Sequence, residues 1–364
     1  MSIGEYSFSA IKGRQAGREF YISMCPLKIV PRLFLFQPEE LPPELRSQRV
    51  LNRSRIPEMS RYITDNRQNY IFSAITASID SQVTFEPLAV NGKEHQDIGT
   101  LRIPIEARFI LNDGQHRRAA IEDALKEQPD LGDETISVVF FIDKGLKHSQ
   151  QMFADLNKHA LRPSRSTGIL FDHRDPLSSL ACEVVENIPV FRNLTEMEKT
   201  SISNRSNKLF TLSGIYQGTL ALLRKTEKSK EISDAEMKVA FDFWSCVTEN
   251  MRDWKLAASK DISTYELRQD YVHAHALALH AIGKLGAALL STPGRNYKED
   301  LKRLSEIDWS RKSSALWEGR AMHYGKISKS HTCVALTTNY LKSCFGLPLS
   351  PEERQIEETF LRKA

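Results

Sequence analysis

The spacing of apolar residues changes about midway along the chain. Before residue 175, two kinds of short run alternate. "EFYISMCPLKIV" (Glu19–Val30), "NYIFSAITASID" (Asn69–Asp80) and "ISVVFFID" (Ile136–Asp143) are rich in β-branched and aromatic residues and predict strands. "TLRIPIEARFIL" (Thr100–Leu111) predicts another at its C-terminal end. "PEMSRYITDN" (Pro57–Asn66), "RRAAIEDALKE" (Arg117–Glu127) and "SQQMFADLNKHA" (Ser149–Ala160) have helical spacing. Beyond residue 175 only the helical period persists. "NKLFTLSGIYQGTLALLRKTEK", "SDAEMKVAFDFWSCVTENMRDW" and "STYELRQDYVHAHALALHAIGKLGAALL" each predict a helix, the second opened by a capping box of Ser233 and Glu236. The pattern reads as an α+β protein: a mixed domain over residues 1–175, then an all-helical domain over 176–364.

Composition narrows the class. At 364 residues the chain is long enough for about two cores. Its 41% hydrophobic and 26% charged residues fit a globular protein, and no apolar run reaches the ~20 residues of a membrane span. The polar N-terminus is unlike a signal peptide, so a cytoplasmic protein is expected. Five scattered Cys form no CxxC pair, which argues against a zinc knuckle or ribbon and fits reduced thiols. His273 and His280 tempt a metal assignment, but their alanine and leucine neighbours predict packed histidines, and no metal site is assigned. A net charge of +4 permits a nucleic-acid partner without requiring one. No G-x-S-x-G elbow or Walker A loop is present.

The densest chemistry is "FILNDGQHRRAAI" (Phe109–Ile121), a strand leading through a glycine into a helix. Such a junction leaves amide donors at the positive end of the helix, where anions bind. Gly114 allows close backbone approach, Arg117 and Arg118 offer phosphate-matching forks, and His116 is a donor or an acid–base group. Asp113 could cap the helix, hold a metal ion or orient an arginine. The plain alternative is a capped helix with a solvated basic turn. Upstream, "ELRSQRVLNRSRIPEMSRYITDNR" crowds arginines with little acid between them, which favours anion binding over ion pairing; Gln48, Arg49 and Arg53 are placed beside the Gly114 turn. Three other basic stretches are candidate DNA contacts: Lys12, Arg14 and Arg18 of "KGRQAGR", Arg162 and Arg165 of "FADLNKHALRPSRSTG", and Lys199, Arg205 and Lys208 of "EKTSISNRSNKLF". Basic hairpins and surface loops explain them almost as well.

"DGQHR" followed by "RAAI" resembles the DGQHR-domain proteins and is similar to the nucleotide-binding box of the ParB/sulfiredoxin superfamily. Together with "RSQRVLNRSRIPEMSRYI", "YIFSAITASID", "FADLNKHALRPSRS" and "FDHRDPL", it resembles the DndB family of bacterial DNA phosphorothioate-modification systems. The resemblance implies a ParB-like N-terminal fold in which Gly114, Gln115, His116, Arg117 and Arg118 line an anion pocket, with Asn157 assigned to the same pocket. Gln115 stands where ParB-type boxes usually carry an acid, so the choice of nucleotide stays open. The implied function is a DNA-binding repressor of the modification genes, with double-stranded promoter DNA as partner. The alternative is a triphosphatase for ATP, GTP or CTP, with Asp113 and His116 as catalytic groups and Mg²⁺ held by Asp113, Asp155 or Asn157. A third reading is a subunit whose helical half docks other modification proteins; the oligomeric state stays open.

Overall fold

The computed structural model describes residues 4–34, 51–90, 93–142, 146–158, 163–229 and 231–362. Two strands, β1 (Glu5–Gln15) and β2 (Arg18–Pro26), open the fold as a hairpin. Its two-residue turn puts Ala16 and Gly17 at φ 49° and 78°, the left-handed pair that matches strand twist. There follow α1 (Val30–Leu33), α2 (Ile56–Asp65), β3 (Ile75–Asp80), β4 (Thr84–Val90), β5 (Lys93–Pro104), β6 (Arg108–Asp113), α3 (Gln115–Glu127), β7 (Thr135–Ile142) and α4 (Leu146–Lys158).

The strands form one seven-stranded sheet in the order β4-β5-β1-β2-β7-β3-β6. Only β3 and β7 run parallel, with Ile75 beside Val138; the other neighbours are antiparallel. The inner strand β3 is apolar enough to bury Ile75, Ala77 and Ile79 completely. Phe8, Phe34, Phe109 and Phe140 meet ring to ring in the same core. Sequence pattern misses β4 and the first half of β5, because "KEHQDIG" is polar and His95–Ile98 are exposed. "TLRIPIEARFIL" proves to be two strands, the end of β5 and then β6, separated by a turn at Pro104–Ala107.

The chain divides into units Met1–Leu161 and Arg162–Ala364. The break falls before residue 175 because the helix Arg165–Phe171 packs into the second core through Ile169. The second unit is helical but not wholly so. Thr195–Glu196 pairs with Phe210–Thr211, and Met322–His323 with Lys326–Ile327. Trp244, Trp254, Trp309 and Trp317 lie in its core.

The last of the three expected helices is broken. It becomes Thr264–Asp270, a 3₁₀ turn at Val272–Ala274, and Ala276–Leu290, with Tyr271 and His275 extended between them. The break turns His273 into the aromatic core. Trp254 Nε1–H donates to His273 Nδ1 at 3.0 Å, so the ring proton sits on Nε2 and faces Asp253 Oδ2 at 3.1 Å. His273 is thus a packed core histidine.

Burial holds His273 below its ordinary pKa, against the pull of Asp253, and lowers His275 and His280 to about 4. In the unfolded chain these rings take up protons near pH 6.5. Between about pH 6.5 and 4 the unfolded state therefore binds more protons than the folded one, and stability falls as pH falls. Urea midpoints of the full chain should be highest above pH 7 and drop through this window. A flat profile from pH 7 to 4.5 would refute the neutral buried assignment.

Candidate functional site

The Gly114 junction is built by a bulge and a latch. Register along β6 shifts so that Thr76 faces Asp113 while Ala77 faces Leu111, leaving Asn112 unpaired on the ladder. The Asn112 side chain is fully buried and donates to Ser78 Oγ at 2.7 Å. The bulge re-aims the strand end. Gly114 then takes φ 105° as the N-cap of α3; a Cβ there would lie 3.0 Å from Ile75 Cγ1. No side chain caps this helix start.

Asp113 neither caps the helix nor stands free. Its Oδ2 lies 2.5 Å from Arg117 Nη2, which also donates to the Ala74 carbonyl at 3.1 Å, while Nη1 donates to Ser73 Oγ. Arg117 is thus folded back over the turn, against the expected anion contact. Arg118, also expected to bind phosphate, is only 3% exposed. Its Nε donates to the Phe34 carbonyl at 2.8 Å, Nη2 to the Pro31 carbonyl at 2.7 Å, and Nη1 pairs with Glu122. Burial lowers its pKa while Glu122 opposes the shift. The reason is geometric: two consecutive helical residues point about 100° apart, so one of the pair faces the core.

His116 Nε2 accepts the Asn52 amide at 3.2 Å, which requires the proton on Nδ1 if the ring is neutral. That bond brings the start of the 3₁₀ turn Arg53–Arg55 to the first turn of α3; Arg53 in that turn is exposed. Asn52 caps that turn through Ser54. Arg67, from the same arginine-rich stretch, is instead paired with Asp130 at 3.0 Å and Glu134 at 3.2 Å. Gln115 opens α3, half-buried, and Asn157 belongs to the last turn of α4. Gln48, Arg49 and Arg162 lie outside the described residues.

The candidate DNA contacts fall at separate places. Lys12, Arg14 and Arg18 belong to the β1–β2 hairpin, where Lys12 Nζ stands 5.5 Å from the Phe85 ring centre and Arg14 approaches Glu19 at 3.9 Å. Arg165 pairs with Glu227, and Lys199 is exposed. Arg205 and Lys208 line a groove of about 1060 Å³ together with Arg192 and Lys260, with Asp261 the one acid lining it among the described residues. The Asp261 carboxylate accepts from Ser259 Oγ at 2.5 Å.

Arg268 gives that groove its rigidity, and sequence reasoning missed it. Buried at 6% exposure, its guanidinium gathers the carbonyls of Ser203, Asn204, Ser206 and Lys208. Among the described residues it has no carboxylate partner, and burial lowers its pKa. The loop therefore turns its carbonyls inward while Arg205 and Lys208 line the groove. No local motif signals this, because the lining comes from three separated stretches.

A family model described as DndB, DNA-sulfur modification-associated, matches residues 8–348. The chain belongs to this family. No curated protein and no solved structure matches it. No helix among the described residues is long and apolar enough to cross a membrane.

Replacing Arg118 by Met should destabilise the chain by about 3 kcal/mol, since it strands two buried carbonyls and Glu122. Arg117→Met, at a more solvated site, should cost about 1–2 kcal/mol. Urea denaturation checks both. If Arg118→Met left stability intact, the inward arginine would lose its structural role.

Proposed function

We propose that this member of the DndB family, whose membership ties it to DNA phosphorothioate modification, is a DNA-binding regulator that represses the modification genes. The observation that carries this reading is the groove lined by Arg192, Arg205, Lys208 and Lys260. Its loop is held by a buried cation whose acceptors are neutral carbonyls, so the local charge excess is not cancelled from within. Several cations lining one groove suit the phosphate backbone of a duplex, which supplies affinity without base reading. Lys12, Arg14 and Arg18 on the exposed hairpin offer a second backbone contact, because an exposed 3.9 Å pair with Glu19 holds Arg14 only weakly.

The competing reading is a Mg²⁺-dependent triphosphatase at the Gly114 turn. Asp113 does not fit a Mg²⁺ ligand in this arrangement, because Arg117 holds its carboxylate. Asp155 accepts from Gln151 at 2.7 Å, and His116 Nε2 is engaged by the Asn52 amide. The junction therefore favours a positioning role over hydrolysis.

Fluorescence anisotropy with promoter duplex and random duplex across a salt series tests the proposal. The promoter should bind on the order of 10³-fold tighter. Arg205→Gln with Lys208→Gln should weaken both duplexes and reduce the salt slope by about 1 per lost phosphate contact. Equal affinity for the two duplexes would remove the repressor, and an unchanged slope would move the DNA contact away from this groove.

A further inference from the structure

A second pocket in the helical unit, of about 410 Å³, is lined by Arg165, His280, Lys284, Lys329 and His331, and by no carboxylate. Lys284 and Lys329 have no ion-pair partner among the described residues, whereas Arg165 is paired with Glu227. The neighbouring pocket, of about 590 Å³, shares His280 and Lys284 but differs in charge balance. There Lys342 pairs with Glu353 at 2.6 Å and Lys225 with Glu236 at 2.9 Å. The smaller pocket thus keeps Lys284 and Lys329 without an ion-pair partner among the described residues. Burial first, then the charges of Lys284 and His331, hold His280 down to about 4.

The backbone adds to the same field. The helices Leu212–Leu223, Ala276–Leu290 and His331–Cys344 all begin at this pocket, contributing Ser213 and Gly214, Ala276 and Leu277, and His331 and Val334 to its wall. Each helix start carries about half a positive charge. Gly214 allows two of these starts to meet, since a Cβ there would lie 2.9 Å from Ala276 Cβ. The Ala276–Leu290 helix has no side-chain cap. Thr200, Thr211 and Ser213 add hydroxyl groups.

We propose that this pocket is a receptor for the phosphate groups of a small organophosphate of nucleotide size. The volume falls within the range of small-ligand sites. A carboxylate-free lining with two unpaired lysines, two histidines and converging helix starts selects a multiply charged anion. This inference stands apart from the DNA reading, which is tested with variants of a different groove.

Isothermal titration of the full chain with inorganic pyrophosphate, and separately with ATP, tests it. Both probes should bind. Lys284→Gln with Lys329→Gln should weaken each by tenfold or more, and Lys284→Arg with Lys329→Arg should restore most of the loss. Lys329→Gln alone, at an exposed position, should show a smaller loss with an unchanged thermal melt, which separates ligand loss from unfolding. Duplex affinity should be unaffected by the double Gln variant. Failure of both probes to bind at millimolar concentration, or binding indifferent to the lysines, overturns the proposal. So does a double variant that weakens duplex as much as pyrophosphate, because the pocket would then read the DNA backbone.

Discussion

The Arg205–Lys208 groove of the helical unit depends on one buried cation, Arg268. A guanidinium presents five N–H donors and does not shed its proton, so burial is tolerable only where each donor meets an acceptor. Here the acceptors are main-chain carbonyls at Ser203, Asn204, Ser206 and Lys208. Carbonyls satisfy donors without cancelling charge. The loop is fixed, its negative ends point inward, and the positive charge remains. Arg118 in the other unit is the instructive contrast. It also gathers carbonyls, from Pro31 and Phe34, but Glu122 neutralises it. One buried arginine leaves a field at its surface; the other closes a helix onto the core.

That contrast explains what was legible in the sequence. The strand, the glycine turn and the following helix are readable because apolar periodicity and a left-handed glycine are local properties. Which way Arg117 and Arg118 point is not local. It depends on Ser73, Ala74 and Asp113 for one, and on Pro31, Phe34 and Glu122 for the other. Read as composition, the two arginines look like phosphate ligands; placed in the fold, they are a latch and a core bolt. Strands β4 and β5 escaped because β4 and the first half of β5 are largely exposed, the latter also polar, and the buried Leu101 and Ile103 make too short an alternation to read alone. The break at His273 escaped because alanines and leucines continue a helical pattern through it, while the cause, an aromatic cage containing Trp254 and Trp309, comes from elsewhere in the chain.

The candidate anion chemistry is therefore redistributed. Arginine density in the sequence points to the Gly114 turn, where much of the charge is internally matched. Among the described residues, the helical unit, less dense in motifs, gathers cations without an ion-pair partner at the Arg205–Lys208 groove and the Lys284–Lys329 pocket. Local charge counting cannot see this, because an arginine four residues from an acid on a helix and a lysine far from any acid score alike.

Unmatched charge is itself informative about function. Two like charges about 8 Å apart repel by about 2 kcal/mol at an effective dielectric of 20, and the repulsion grows with every cation added. A fold whose whole stability is of order 10 kcal/mol has little reason to keep several such pairs unless something in its working state offsets them. Solvent and salt relieve an exposed cluster, but less so in a pocket walled by helix starts, where the peptide dipoles add to the field. The Arg268 loop and the three helix starts fix the backbone around these cations before any ligand arrives. An anion entering either site would then meet little ordering cost, and preorganisation of that kind raises affinity without adding contacts.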